Sequence, residues 1–155
     1  MMLAWLSKGL LFVFLVLLCV VVYQFWARGL LSQEMNPELG LVDGQFRPCS
    51  TKPNCVNSFS SEEGQAIPAI VGGSIALAKL AAFIAETENA NIRVLAENYV
   101  WATYQSGLFG FVDDVELYFD GTHIQVRSAS RVGHSDFGAN RKRVEALRDH
   151  LTGHY

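Results

Sequence analysis

VDDVELYFDGTHIQVRSA, residues 112–129, reads as two alternating runs, 112–119 and 122–129, around Asp120-Gly121. An Asp-Gly pair between alternating apolar residues is a strong hairpin signal. With Asp120-Gly121 as the turn, Phe119 faces Thr122, Leu117 faces Ile124 and Val115 faces Val126. Those residues share one face. The other face carries Asp114, Glu116, Tyr118, His123, Gln125 and Arg127, with Asp114 opposite Arg127 as a cross-strand ion pair. A slip of one residue would bury that whole polar set, so the pattern carries its own check.

Working outward, residues 92–96 and 99–105 have the composition of two further strands. Before them, Ser74 can cap a helix whose Leu77, Leu80, Ala81 and Ile84 recur at helical spacing. After them, Gly138 and Asn140 open a last helix with Val144, Leu147 and Leu151 as its apolar stripe. Helix, four strands, helix predicts an α+β domain: a four-stranded antiparallel sheet with two helices packed on one face. Phe59, Phe83, Tyr99, Trp101, Phe109, Phe111 and Phe137 read as core or loop-anchoring aromatics. The core of the domain is residues 74–155. Residues 30–73 are rich in turn formers and read as a linker followed by a loop pinned by cysteines.

Residues 1–29 read as a membrane anchor. Residues 9–26 form an apolar run of 18, with Trp5, Tyr23 and Trp26 near its ends. Signal cleavage after Ala27 would put Phe25 where a small residue is needed, so an uncleaved signal anchor is the better reading. Lys8 and Arg28 flank the run almost symmetrically and leave orientation open. Cys49 and Cys55, separated by a segment containing Pro53-Asn54, are the two cysteines outside the run. A disulfide between them would persist in an oxidising compartment, which puts the domain on the extracytoplasmic (periplasmic) side of a single-pass protein. Too few Cys and His lie close together for a metal site, and no cofactor motif is recognised.

Beyond residue 28 the chain carries ten Lys and Arg against fifteen Asp and Glu, which excludes a general nucleic-acid-binding surface. Six of those ten cations nevertheless fall between Arg127 and Arg148. Three accounts of the cluster stay open. Asp113, Asp114, Asp136 and Glu145 could neutralise Arg127, Arg131 and Arg141 in a structural network; Arg131 and Arg141 could clamp an anion at the last helix's N-terminus; or the face could be solvated. Enzymatic signals are thin. Gly133-His134-Ser135-Asp136-Phe137 lacks the second glycine of a nucleophile elbow. Asp113 and Asp114 are adjacent on a strand and point to opposite faces, so they do not form a close catalytic pair.

Several stretches look like the successive motifs of a family: Arg47-Pro48-Cys49, Pro53-Asn54-Cys55-Val56, Glu97-Asn98-Tyr99, Phe109-Gly110-Phe111-Val112-Asp113-Asp114-Val115-Glu116, and above all Arg127-Ser128-Ala129-Ser130-Arg131-Val132-Gly133 with Ser135-Asp136-Phe137-Gly138 and Asn140-Arg141-Lys142-Arg143. Together they resemble the domain-of-unknown-function 1499 family over residues 47–150. The resemblance implies a small domain, often exported or membrane-attached, without an assigned activity. Among the matched positions are Asp113, Asp114, Arg127, Arg131, Asp136 and Arg141. The expectation is a membrane-anchored binding or accessory module that takes an anionic small molecule, a lipid headgroup or an envelope partner at those six residues. The alternative is a small hydrolase-like enzyme using Asp113 or Asp114 with Arg131.

Overall fold

The computed structural model describes residues 2–153, with side chains from residue 7 onward; the side chain of Trp5 lies outside the described part. Helix α1 (Met2–Glu34) runs straight through the apolar segment and eight residues past Trp26. At about 1.5 Å per residue it is roughly 50 Å long. It is long and apolar enough to cross a membrane, and the window that qualifies it is not buried by the rest of the chain. A small hairpin, β1 (Leu41–Val42) with β2 (Gln45–Phe46), follows, and Cys49 is disulfide-bonded to Cys55.

The main sheet has six strands, not the expected four. β5 (Ala90–Leu95), β6 (Tyr99–Gln105), β7 (Val112–Phe119) and β8 (His123–Ser130) form an antiparallel meander. β3 (Cys55–Asn57) and β4 (Ile70–Val71) both pair with the free edge of β8, at Ala129–Arg127 and at Ile124–His123 respectively. Three and two residues are too few to show alternation, so partner geometry alone makes these segments strands. They also cover most of an edge that would otherwise expose unpaired N–H and C=O groups.

The β7–β8 register differs from the expectation by two. Ile124 faces Phe119, Val126 faces Leu117 and Arg127 faces Glu116 rather than Asp114. The cause is Asp120. Its carboxylate accepts the N–H groups of Thr122 and His123 and the side chain of Gln125, while its own N–H donates to the His123 carbonyl. Asp120 thereby closes the ladder, and the loop becomes Gly121-Thr122, with Gly121 at φ +99°. A shift of two keeps every side chain on its expected face and changes every partner.

Helices α2 (Ser74–Glu86) and α3 (Ala139–Thr152) pack on one face of the sheet. Leu77, Leu80 and Ile84 of α2 and Val144 and Leu147 of α3 are fully buried against Val100, Ala102, Val115, Leu117, Ile124 and Val126. Each such Leu, Ile or Val contributes roughly 1.5–3 kcal/mol by leaving water. The expected cap at Ser74 is not formed: Ser74 is already helical, and Gly73 is the N-cap without a side-chain bond. Most of the predicted aromatics are partly buried or packed on one another. Phe137 is the exception at 92% exposed.

Candidate functional site

Alternation along β7 sends neighbouring carboxylates to opposite faces of the sheet. Asp114 and Glu116 lie on the face away from the helices, and both are buried. Asp114 receives two bonds from Arg131, Nε at 2.8 Å and Nη2 at 2.9 Å, and a third from Trp101 Nε1 at 2.9 Å. The other Arg131 donor, Nη1, reaches the carbonyls of Ser32 and Met35 at the end of α1. Glu116 accepts from Tyr99 Oη at 2.8 Å, from the Gly40 N–H at 2.7 Å and from Arg127 Nη1 at 3.2 Å. Burial, and then the Glu116 carboxylate, push the Tyr99 hydroxyl far above its ordinary value, so it stays a neutral donor.

A second network occupies the helix-facing side. Asp113 pairs with Arg143 Nη2 at 2.8 Å, and the guanidinium lies 4.5 Å from the centroid of the Tyr104 ring. Arg143 Nη1 also donates to Asn140 Oδ1 and Ser128 Oγ. Asn140 is fully buried and donates to the Asn54 carbonyl, Ser130 Oγ and Asp136 Oδ2. Asp136 caps α3, accepting from the backbone N–H groups of Gly138 and Asn140. Partial burial alone would raise its carboxyl; those hydrogen bonds outweigh burial and hold it below the ordinary carboxylate range.

The six expected site residues therefore do not form one site. Arg127, Arg131 and Asp114 share the open face. Asp113 and Asp136 belong to the helix side, and Arg141 turns away to the carbonyls of Gly64 and Ala66. No anion clamp joins Arg131 to Arg141. Glu116, Arg143, Asn140, Tyr99 and Trp101 complete the two networks and were not among the six. The correct hairpin register would have exposed Glu116 as the partner of Arg127. Arg143 stands in the closing motif but is revealed only by α3 packing over the sheet. Neither aspartate is placed as a free base, because each is already tied to an arginine.

Over the open face, the segment after α1 encloses a cavity of about 310 Å³. Its walls include Met35, Pro37 and Leu39, and the disulfide loop contributes Ser50, Lys52 and Cys55. Arg127, Arg131 and Asp114 line it from the sheet. The two arginines differ there. The Arg131 side chain makes four hydrogen bonds, whereas the Arg127 side chain makes one, and its buried Nε has no acceptor among the described residues. Lys52 also lines the cavity and forms no ion pair among the described residues. The size is at the small end of ligand pockets.

These features define a small α+β domain led by a long apolar helix, with a buried-carboxylate sheet face under a polar cavity. A family model described as "Protein of unknown function (DUF1499)" matches residues 45–151, and the chain belongs to that family. No curated protein and no solved structure matches it.

Proposed function

We propose that the protein is a single-pass membrane protein whose domain, on the oxidising side, binds an anionic group in the cavity over the open sheet face. The Cys49–Cys55 disulfide supports the oxidising side. The observation that carries the binding reading is the contrast between the arginines: the Arg131 side chain is consumed by structure, while Arg127 makes one side-chain bond and lines a cavity with Lys52 and Glu38. A phosphate or carboxylate, free or on a lipid headgroup or envelope partner, has the complementary charge. Catalysis by Asp113 or Asp114 is less well supported, since both carboxylates are neutralised by bonded arginines.

The test is thermal unfolding of the oxidised full chain in detergent micelles, with inorganic phosphate, a dicarboxylate, or glycerophosphoglycerol as a soluble headgroup. A ligand at about 100 times its Kd stabilises by roughly 2.7 kcal/mol, a shift of several degrees. The expected result is a shift with at least one probe that shrinks in Lys52→Gln, a variant that leaves the unliganded midpoint unchanged. Response to phosphate and glycerophosphoglycerol alike marks a phosphate site, and response to the headgroup alone marks a lipid site. No shift with any of them, or one that Lys52→Gln and Arg127→Lys both retain, rules the cavity out.

A further inference from the structure

We propose that the β6–β7 loop, residues 106–111, is a second membrane contact, its tip inserted into the leaflet from which α1 emerges. The proposal rests on the reading of α1 as a membrane helix and goes beyond it, because it places a second segment of the chain in lipid. The loop sequence, Ser-Gly-Leu-Phe-Gly-Phe, carries no charge. Leu108 at its tip is 83% exposed.

Its depth is set by α1. The Phe109 ring lies 5.3 Å from that of Phe25, inside the apolar run, and the Phe111 ring lies edge-on to Phe25 at 6.3 Å. One turn further on, the backbone of Phe109 passes directly over Gly29, where any side chain would overlap its carbonyl oxygen. Gln33 Nε2 then donates to the Gly110 carbonyl at 3.1 Å. Phe109 is thus fixed between the levels of residues 25 and 29, the depth at which Trp26 marks the membrane interface. Leu30 and Leu31 stay 41% and 55% exposed just beyond, beside the exposed Arg28, whose long side chain can reach the headgroup level.

Internal hydrogen bonds close the ends of the loop, at residues 106, 110 and 111. Ser106 N–H donates to the Phe111 carbonyl, Gly110 N–H to the Ser106 carbonyl, and Phe111 N–H to Ser106 Oγ. Backbone groups satisfied within the turn need not be stripped of water on entering lipid. With helix and loop both in the bilayer, the β6–β7 end of the sheet faces the membrane and the Gly121-Thr122 turn points away.

The experiment uses the oxidised full chain with Cys19→Ala, labelled with an environment-sensitive fluorophore at one of three new cysteines: Val16→Cys in mid-span, Leu108→Cys, or Thr122→Cys. Each is placed in phosphatidylcholine vesicles containing lipids spin-labelled either high or low on the acyl chain. The expected result is a blue-shifted, lipid-quenched signal at 108, strongest with the shallow quencher, alongside deep quenching at 16 and none at 122. Quenching at 16 with none at 108 overturns the loop contact and leaves the anchor standing. A blue shift at 108 without lipid quenching also overturns it, since the tip is then covered by protein. Loss of quenching at 16 as well overturns both readings together.

Discussion

Asp113 and Asp114 are sequence neighbours, yet they sit in different environments. On the helix side, Asp113 and Arg143 are each 15% exposed, and Arg143 keeps Asn140, Ser128 and the Tyr104 ring if its carboxylate is lost. On the open side, Asp114 and Arg131 are 3% and 7% exposed, and the arginine also carries the carbonyls that end α1. One pair is a redundant member of a packed polar core. The other joins the sheet to the long apolar helix. The difference teaches that an ion pair's role follows from what else its partners hold.

Three measurements would break or sharpen that contrast. The largest effect belongs to the open face. Asp114→Ala strands a buried guanidinium and should cost about 3–5 kcal/mol. Asp113→Ala should cost only about 1.5–3 kcal/mol, the scale of one charged hydrogen bond. Denaturant unfolding of the two variants, compared in one detergent, reads the difference directly; equal losses would abolish the distinction.

Next comes Gly29→Val. The new side chain cannot fit over the Phe109 carbonyl, so the tail of α1 must leave the sheet, at about 1–3 kcal/mol of overpacking cost. Spin labels at Leu31→Cys and Thr122→Cys should show a distance distribution that is narrow in the wild type and broad in the variant. An unchanged distribution would mean that the helix stays fixed to the domain without the Gly29–Phe109 contact, held by the Arg131 bonds to the Ser32 and Met35 carbonyls.

The smallest effect is on the helix side. Asp136→Asn keeps an acceptor oxygen and removes only the charge at the helix N-terminus, so it should cost about 0.3–1 kcal/mol at neutral pH. Because the folded-state pKa of Asp136 is lowered, its contribution is complete above the unfolded carboxylate value and is lost as pH falls through the lower folded value. The gap between wild-type and variant midpoints should therefore close on going below about pH 4. A gap that persists in acid would assign the stabilisation to packing rather than charge.

Much of this is legible in the sequence alone. Facial alternation in residues 112–129, both helical stripes, the apolar run and the cysteine pair are short-range properties, and each reappears in the fold. The candidate site was legible as a set of residues and not as a place. Asp113, Asp114, Arg127, Arg131, Asp136 and Arg141 were singled out together, and the fold distributes them over two faces and a loop. The reason lies in the hairpin. Moving the register by two residues leaves inward and outward positions untouched, so patterning has no means of choosing between Asp114 and Glu116 as the partner of Arg127.

The sequence by itself determined the composition of each surface: which side chains enter the core, which segment is apolar enough for a membrane, and which cysteines can meet. Those follow from periodicities of about 2 and 3.6 and from local turn chemistry. Only the tertiary structure decided which charges pair, that β3 and β4 complete the sheet, and that Arg131 reaches back 99 residues to Ser32. Contacts of that span depend on the packing of whole elements, and no window along the chain contains both partners.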